Sequence, residues 1–107
     1  MKKALIIVDV QNDFCEGGAL AVPGANEIIS YINLLMEENE YNKIVLTQDW
    51  HPANHKSFAS TNGKKVGETI ILNGIPQFMW PDHCVQGTSG AEFHKDLNRE
   101  KVDHIIQ

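Results

Sequence analysis

The sequence predicts an α/β domain built on a parallel sheet, and three observations carry that prediction. Lys3 to Val8 and Lys43 to Gln48 are apolar runs rich in β-branched residues, without the alternation of a half-exposed strand. Between them lies a single segment whose apolar residues recur at helical spacing. Each apolar run is closed by an aspartate, Asp9 and then Asp49. In open α/β sheets the functional groups gather at the carboxyl ends of the strands.

Taken in order, Lys3 to Val8 reads as a strand buried on both faces. Ala19 to Gly24 reads as a loop punctuated by Pro23-Gly24. A helix is expected from about Ala25 to about Glu40, with Ile28, Ile29, Ile32, Leu35 and Met36 on its apolar side. Asn26 or a neighbour would cap its start, and Asn39 and Asn42 would stop it. Lys43 to Gln48 then completes a strand–helix–strand unit, which is right-handed and parallel almost without exception. Pro52 to Asn73 is loop-rich, with a short strand at Glu68 to Leu72. Ile75 to Thr88 reads as irregular, Ser89 to Asn98 as a short helix, and Val102 to Gln107 as a third strand.

At 107 residues and 42% hydrophobic composition, the chain has the length of one domain and the means to build a core. The net charge of -5 and the scattered basic residues exclude a nucleic-acid surface. The longest apolar stretch, Ala4 to Val8, is far too short to span a membrane or serve as a signal peptide. Cys15 and Cys84 are too few for a disulfide framework, so free thiols and a cytoplasmic setting are expected. No functional residue follows the third strand, and three strands are few for so much apolar surface. The expectation is therefore an N-terminal part, residues 1–107, of a single domain truncated after its third main strand. The open edge of the first strand would then invite association between copies, a homo-oligomer among the outcomes.

The strongest local chemistry is Asp49-Trp50-His51. A carboxylate and an imidazole two apart, just past a buried strand, can share one site if the chain turns there. That donor set suits zinc, iron(II) or manganese better than calcium. His83, in Trp80-Pro81-Asp82-His83-Cys84, is the natural third ligand. By spacing alone, a capped turn flanked by two surface histidines reads equally well. His55 lies four residues after His51, but Pro52 disfavours a helix there, so His55 is read as a residue that orients a ligand or as a weaker metal candidate. His94 and His104 have no evident partner. Asp9 could act as a general base, with Gln11, Asn12 and Asp13 as polar neighbours, or could simply end its strand. Neither Cys15 nor Cys84 sits at a strand-to-helix turn that would activate a thiol, so both are read as structural. Phe14, Trp50 and Trp80 could wall a pocket for a flat ring.

Together these segments resemble a known family. Ile7-Val8-Asp9-Val10-Gln11-Asn12-Asp13-Phe14, Gly17-Gly18-Ala19-Leu20 and Val22-Pro23-Gly24-Ala25 are similar to the opening of nicotinamidases. Thr47 to Ala59 resembles the first metal motif of that family, and Trp80 to Thr88 resembles the second, in the same order. Nicotinamidases belong to the isochorismatase-like cysteine hydrolases. The resemblance implies a Rossmann-like three-layer α/β/α fold with a parallel sheet of about six strands. It implies that Asp9 is the aspartate of an Asp-Lys-Cys triad and that Asp49, His51 and His83 bind one divalent metal ion, zinc first, then iron or manganese. Phe14 and Trp80 would sandwich a pyridine ring, and His55 binds metal in some members only. The small-molecule substrate would be nicotinamide, or pyrazinamide, hydrolysed through a cysteine acyl-enzyme. The triad lysine would fall just after the third strand and the nucleophilic cysteine further on. Neither Cys15 nor Cys84 matches that position. Competing readings are another amidase or hydrolase of the same superfamily, a phosphate-accepting receiver domain, and a catalytically incomplete metal-binding fragment.

Overall fold

In a computed structural model describing residues 1–107, Ala4–Val8 (β1) and Lys43–Thr47 (β2) pair in parallel, from Ala4 opposite Lys43 to Val8 opposite Thr47. Between them runs the helix Glu27–Glu38 (α1), the crossover of the expected strand–helix–strand unit. It starts two residues later than its periodicity suggested. Asn26 occupies the N-cap position, but its side chain does not cap. Its Oδ1 instead accepts the Glu16 N–H (2.8 Å), tying the helix entry to the preceding loop. At the far end Asn39 turns extended and its Nδ2 donates to the Leu35 carbonyl (3.0 Å), satisfying an orphan acceptor of the last turn. Asn42 then pairs with Lys3, its N–H donating to the Lys3 carbonyl (2.7 Å), and leads the chain into β2.

The next two strands form a hairpin apart from the main sheet. Thr69–Leu72 (β3) pairs antiparallel with Ile75–Phe78 (β4) across Asn73-Gly74. Both turn residues have positive φ, 51° and 78°, as a two-residue hairpin turn requires. This corrects the irregular reading of Ile75 to Thr88 over Ile75–Phe78; Met79 to Thr88 carries no helix or strand. Pro76 had argued against a strand, but a two-stranded ribbon has an open outer edge where a missing N–H does no harm.

Ser89 to Asn98 is not a helix. Only Ser89–Ala91 makes a single 3-10 turn. Beyond it the chain runs extended beside the end of β1: the Asn12 N–H donates to the Glu92 carbonyl (2.9 Å) and the His94 N–H to the Val10 carbonyl (3.0 Å). That pairing buries Phe93 and Leu97, and long-range packing overrides local helical preference. His94 also has neighbours after all, since its Nδ1 accepts the Asp96 N–H (3.1 Å). His104–Ile106 (β5) pairs parallel with the free edge of β2, giving the order β1-β2-β5.

The core lies on one face of this sheet. Ile7, Ile44 and Leu46 cluster with Ile29 and Met36 of α1 and with Phe93 and Leu97. Within residues 1–107 the opposite face is bare. Ile7 is 4% exposed, while its neighbours Ile6 and Val8 are 62% and 64% exposed. Within these residues α1 is the only helix of more than one turn, and it can cover only one face. The chain thus forms two layers of the three that the resemblance implies. No helix is long and apolar enough to cross a membrane.

Candidate metal centre

The two strand-closing aspartates lie side by side because β1 and β2 are adjacent and parallel. Asp9 adopts φ 53°, a left-handed conformation unusual for a residue with a side chain. The Thr47 hydroxyl donates to Asp9 Oδ1 (2.6 Å), and the Asp9 N–H donates to the Thr47 carbonyl (3.2 Å). Gln11, Asn12 and Asp13 do not surround the Asp9 carboxylate as expected; their side chains turn towards other loops.

Two of those loops carry the metal-ligand candidates, and they are paired to each other. The His51 N–H donates to the Cys84 carbonyl (2.9 Å), and the Gln86 N–H donates to the His51 carbonyl (2.8 Å). This short parallel bridge brings residues 51 and 85 into register. Donor atoms of Asp49, His51 and His83 consequently lie within 4.8 Å of one another. His51 Nε2 stands 3.5 Å from Asp49 Oδ2. Two ligands about 2.1 Å from a tetrahedral ion sit about 3.4 Å apart, so this pair is already at bonding separation for a shared metal. Pro81's carbonyl can only accept, so His83 Nδ1 carries the proton of their 2.7 Å hydrogen bond. That fixes the tautomer and leaves the Nε2 lone pair free for a metal. The residues therefore fit a divalent ion, and an oxygen–nitrogen–nitrogen set is permissive among zinc, iron(II) and manganese.

His55 comes close without joining this group. Its ring centroid is 4.6 Å from that of His51, but its Nδ1 accepts the Ser57 N–H (3.1 Å). Burial, then the neighbouring His51 and His83, hold its pKa below the usual histidine value, against the pull of Asp49. Beneath the three imidazoles lies Phe58, fully buried, with its ring 5.7 Å from His51, 5.4 Å from His55 and 5.4 Å from His83. The sequence does not single out Phe58, whose only signal there is an aromatic within a polar loop.

Phe14 lies against His83 at 5.8 Å. On its other side it lines, with Asp9, Val22, Pro23 and Ile28, a mainly apolar cavity of about 420 Å³. Trp80 is half-exposed, with its ring tilted against Phe78 at a centroid distance of 4.4 Å and its backbone paired to Ser57 and Ala59. Trp50 contributes its carbonyl, which accepts from Gln86 Nε2 (3.1 Å). Both thiols are buried. Burial, and then the carboxylates of Asp13, Asp49 and Asp9, push the Cys84 thiol up to about 12. Burial, and then Glu16, raise that of Cys15. Neither is poised as a nucleophile.

With this geometry in place, comparison with known proteins is decisive on one point. A model of the isochorismatase domain matches residues 3–107. The chain belongs to the isochorismatase family. A nicotinamidase from Acinetobacter baylyi is 53% identical over 97% of this chain and 48% of its own length. The solved structure of an Acinetobacter baumanii nicotinamidase pyrazinamidase is 52% identical with a TM-score of 0.87, matching 97% of this chain and 50% of that one. A pyrazinamidase of Pyrococcus horikoshii, solved in complex with zinc, is 42% identical with a TM-score of 0.66, again over 97% of this chain and 50% of its own. The isochorismatase-family chain described here spans about half the length of the curated relatives it matches.

Proposed function

We propose that this chain supplies the metal-binding and carboxylate half of a nicotinamidase site, for hydrolysis of nicotinamide to nicotinate and ammonia in pyridine nucleotide salvage. The observation that carries the reading is the convergence of Asp49, His51 and His83 within 4.8 Å in a chain of this family. Asp49 and the Nε2 atoms of His51 and His83 would hold the ion. When bound, it would supply a Lewis-acid anchor for a ring nitrogen and for ordered water.

The remaining chemistry belongs to the chain's own groups. Phe14 offers an apolar wall beside His83, suited to one face of a planar ring. Trp80 is the candidate for the other face. Asp9, held by the Thr47 hydroxyl, is the acid–base candidate: it would accept a thiol proton during attack on the amide carbon and return it to the departing ammonia. An amide is a poor electrophile, so a covalent acyl intermediate divides one difficult step into two. That step needs a thiolate which the buried Cys15 and Cys84 do not provide. His55 is assigned a role beside His51 rather than in the ligand set, because the converging donor atoms are those of Asp49, His51 and His83, and a neutral His55 whose Nδ1 accepts an N–H carries its proton on Nε2.

The test is a chimera in which residues 1–107 replace the matching half of the Acinetobacter baylyi nicotinamidase. The metal-loaded chimera should release ammonia from nicotinamide, and Asp9→Asn and His83→Ala should each abolish release. A folded, metal-loaded chimera with no activity on nicotinamide would overturn the proposal.

A further inference from the structure

We infer that Gln11 and Asp13 are positioning residues that hold the two metal-ligand loops at their working separation. The inference rests on the metal reading above and extends it to residues that donate nothing to an ion.

Gln11 is fully buried, and all three of its side-chain hydrogen bonds go to backbone. Its Oε1 accepts the Asp49 N–H (2.9 Å) while its Nε2 donates to the Asp49 carbonyl (2.9 Å). The same Nε2 also donates to the Ala91 carbonyl (2.8 Å). One primary amide thus satisfies both backbone groups of Asp49, as an adjacent strand would, just where β2 has ended. Only a glutamine has this reach together with both a donor and an acceptor. Glutamate would face two carbonyls with a carboxylate, and methionine would leave the Asp49 N–H and carbonyl without their partner, while the Ala91 carbonyl keeps Gln48 Nε2 (2.9 Å).

Asp13 does the same for the second loop. Its Oδ2 accepts the Cys84 N–H (2.8 Å), and its Oδ1 accepts the Ala19 N–H (3.2 Å). Cys84 adopts φ 47°, a costly conformation for a residue with a side chain, and it directly follows the ligand His83. The carboxylate holds that strained peptide in place. Gly90 makes room for it, since a Cβ at that position would overlap the Asp13 carboxylate. Asn12, between the two, donates from Nδ2 to the Ser89 carbonyl (2.8 Å) and so holds the turn that carries Gly90. Three consecutive side chains leaving β1 therefore reach the loop of Asp49, the turn at Ser89–Ala91, and the loop of His83.

The test uses the whole chain, with Gln11→Met, Asp13→Asn and a control, Ile29→Val, placed in α1 away from both loops. Zinc affinity is read by competition with a chromophoric chelator, ligand geometry by the visible spectrum of bound cobalt(II), and loop fixation by amide exchange at Asp49 and Cys84. Both site variants should bind zinc about 10- to 100-fold more weakly, the range for lost partners of metal ligands. They should also alter the cobalt spectrum and speed exchange at the amide each one releases. Ile29→Val should change none of these, whatever it does to thermal stability. Wild-type affinity and spectrum in both variants would overturn the inference, as would an equal loss in Ile29→Val. Asp13→Asn is nearly isosteric and carries the test if Gln11→Met does not fold. A wild-type chain that binds no zinc would overturn the metal reading; the clamp is then decided by exchange at Asp49 and Cys84 alone.

Discussion

Two side-chain-bearing residues at the candidate site, Asp9 and Cys84, adopt left-handed backbone conformations. Such strain persists only where the surroundings over-determine it, and both positions are held by hydrogen bonds from distant segments. Cys84 also makes a direct prediction. With its thiol pushed up to about 12, about one molecule in ten thousand carries the thiolate at pH 8. Iodoacetamide at pH 8 should therefore leave Cys84 unlabelled in the folded protein and modify it on unfolding, as mass spectrometry would show. The sign of the linked stability follows. The unfolded thiol titrates near 9.0, so the folded chain retains a proton that the unfolded one releases. That contribution is present in full below pH 9 and fades as pH climbs towards 12. Rapid labelling of native Cys84 at pH 8 would refute the assignment. At this scale the sequence was readable only where the signal is local. Asp49 and His51 announce themselves as a tripeptide, and His83 as part of a short motif. Gln11 and Asp13 do not, because the groups they hold lie 38 and 71 residues away along the chain.

Elements divide along the same line. β1, α1, β2 and β5 appear where periodicity and apolar runs placed them, since each is specified by its own residues. β4 was obscured by Pro76, although Asn73-Gly74 is itself the strongest short-range sign of a hairpin. Ser89 to Asn98 departs from its helical expectation because its conformation is imposed by pairing with Val10 and Asn12. These origins give different sensitivities. Gly74 at φ 78° should resist replacement: Gly74→Ala places a side chain in the left-handed region, at a cost of about 1–2 kcal/mol. Loss of β3–β4 pairing in amide exchange would register it. Met36 is 1% exposed in the last turn of α1, on its packed face. Met36→Ala should destabilise the chain by about 2–5 kcal/mol in a urea titration. A loss below 1 kcal/mol would mean that α1 is not held by that face.

At the scale of residues 1–107 as a whole, the governing fact is a sheet covered on one side. Ile6, Val8 and Ile106 present apolar surface on the open face, and the outer edge of β1 has no partner strand. Exposed apolar patches and open edges are the usual routes to association. Sedimentation should show concentration-dependent self-association of the 107-residue chain, reduced by the pair Ile6→Lys and Val8→Lys. Monomeric behaviour at all concentrations would count against it. The two-layer arrangement was not legible from the strands themselves, because an apolar run says that a face must be covered without saying by which residues.

For residues 1–107 as a separate chain, the bare face also has a calorimetric consequence. The heat-capacity change of unfolding measures apolar surface newly given to water, and ordinary domains show about 12–15 cal/mol/K per residue. Here only 16 of 107 residues are buried, and one side of every main strand already meets solvent. The heat-capacity change should fall well below that range, and the stability curve should be correspondingly flat. Cooling would then weaken this fold less than it weakens a fully enclosed domain.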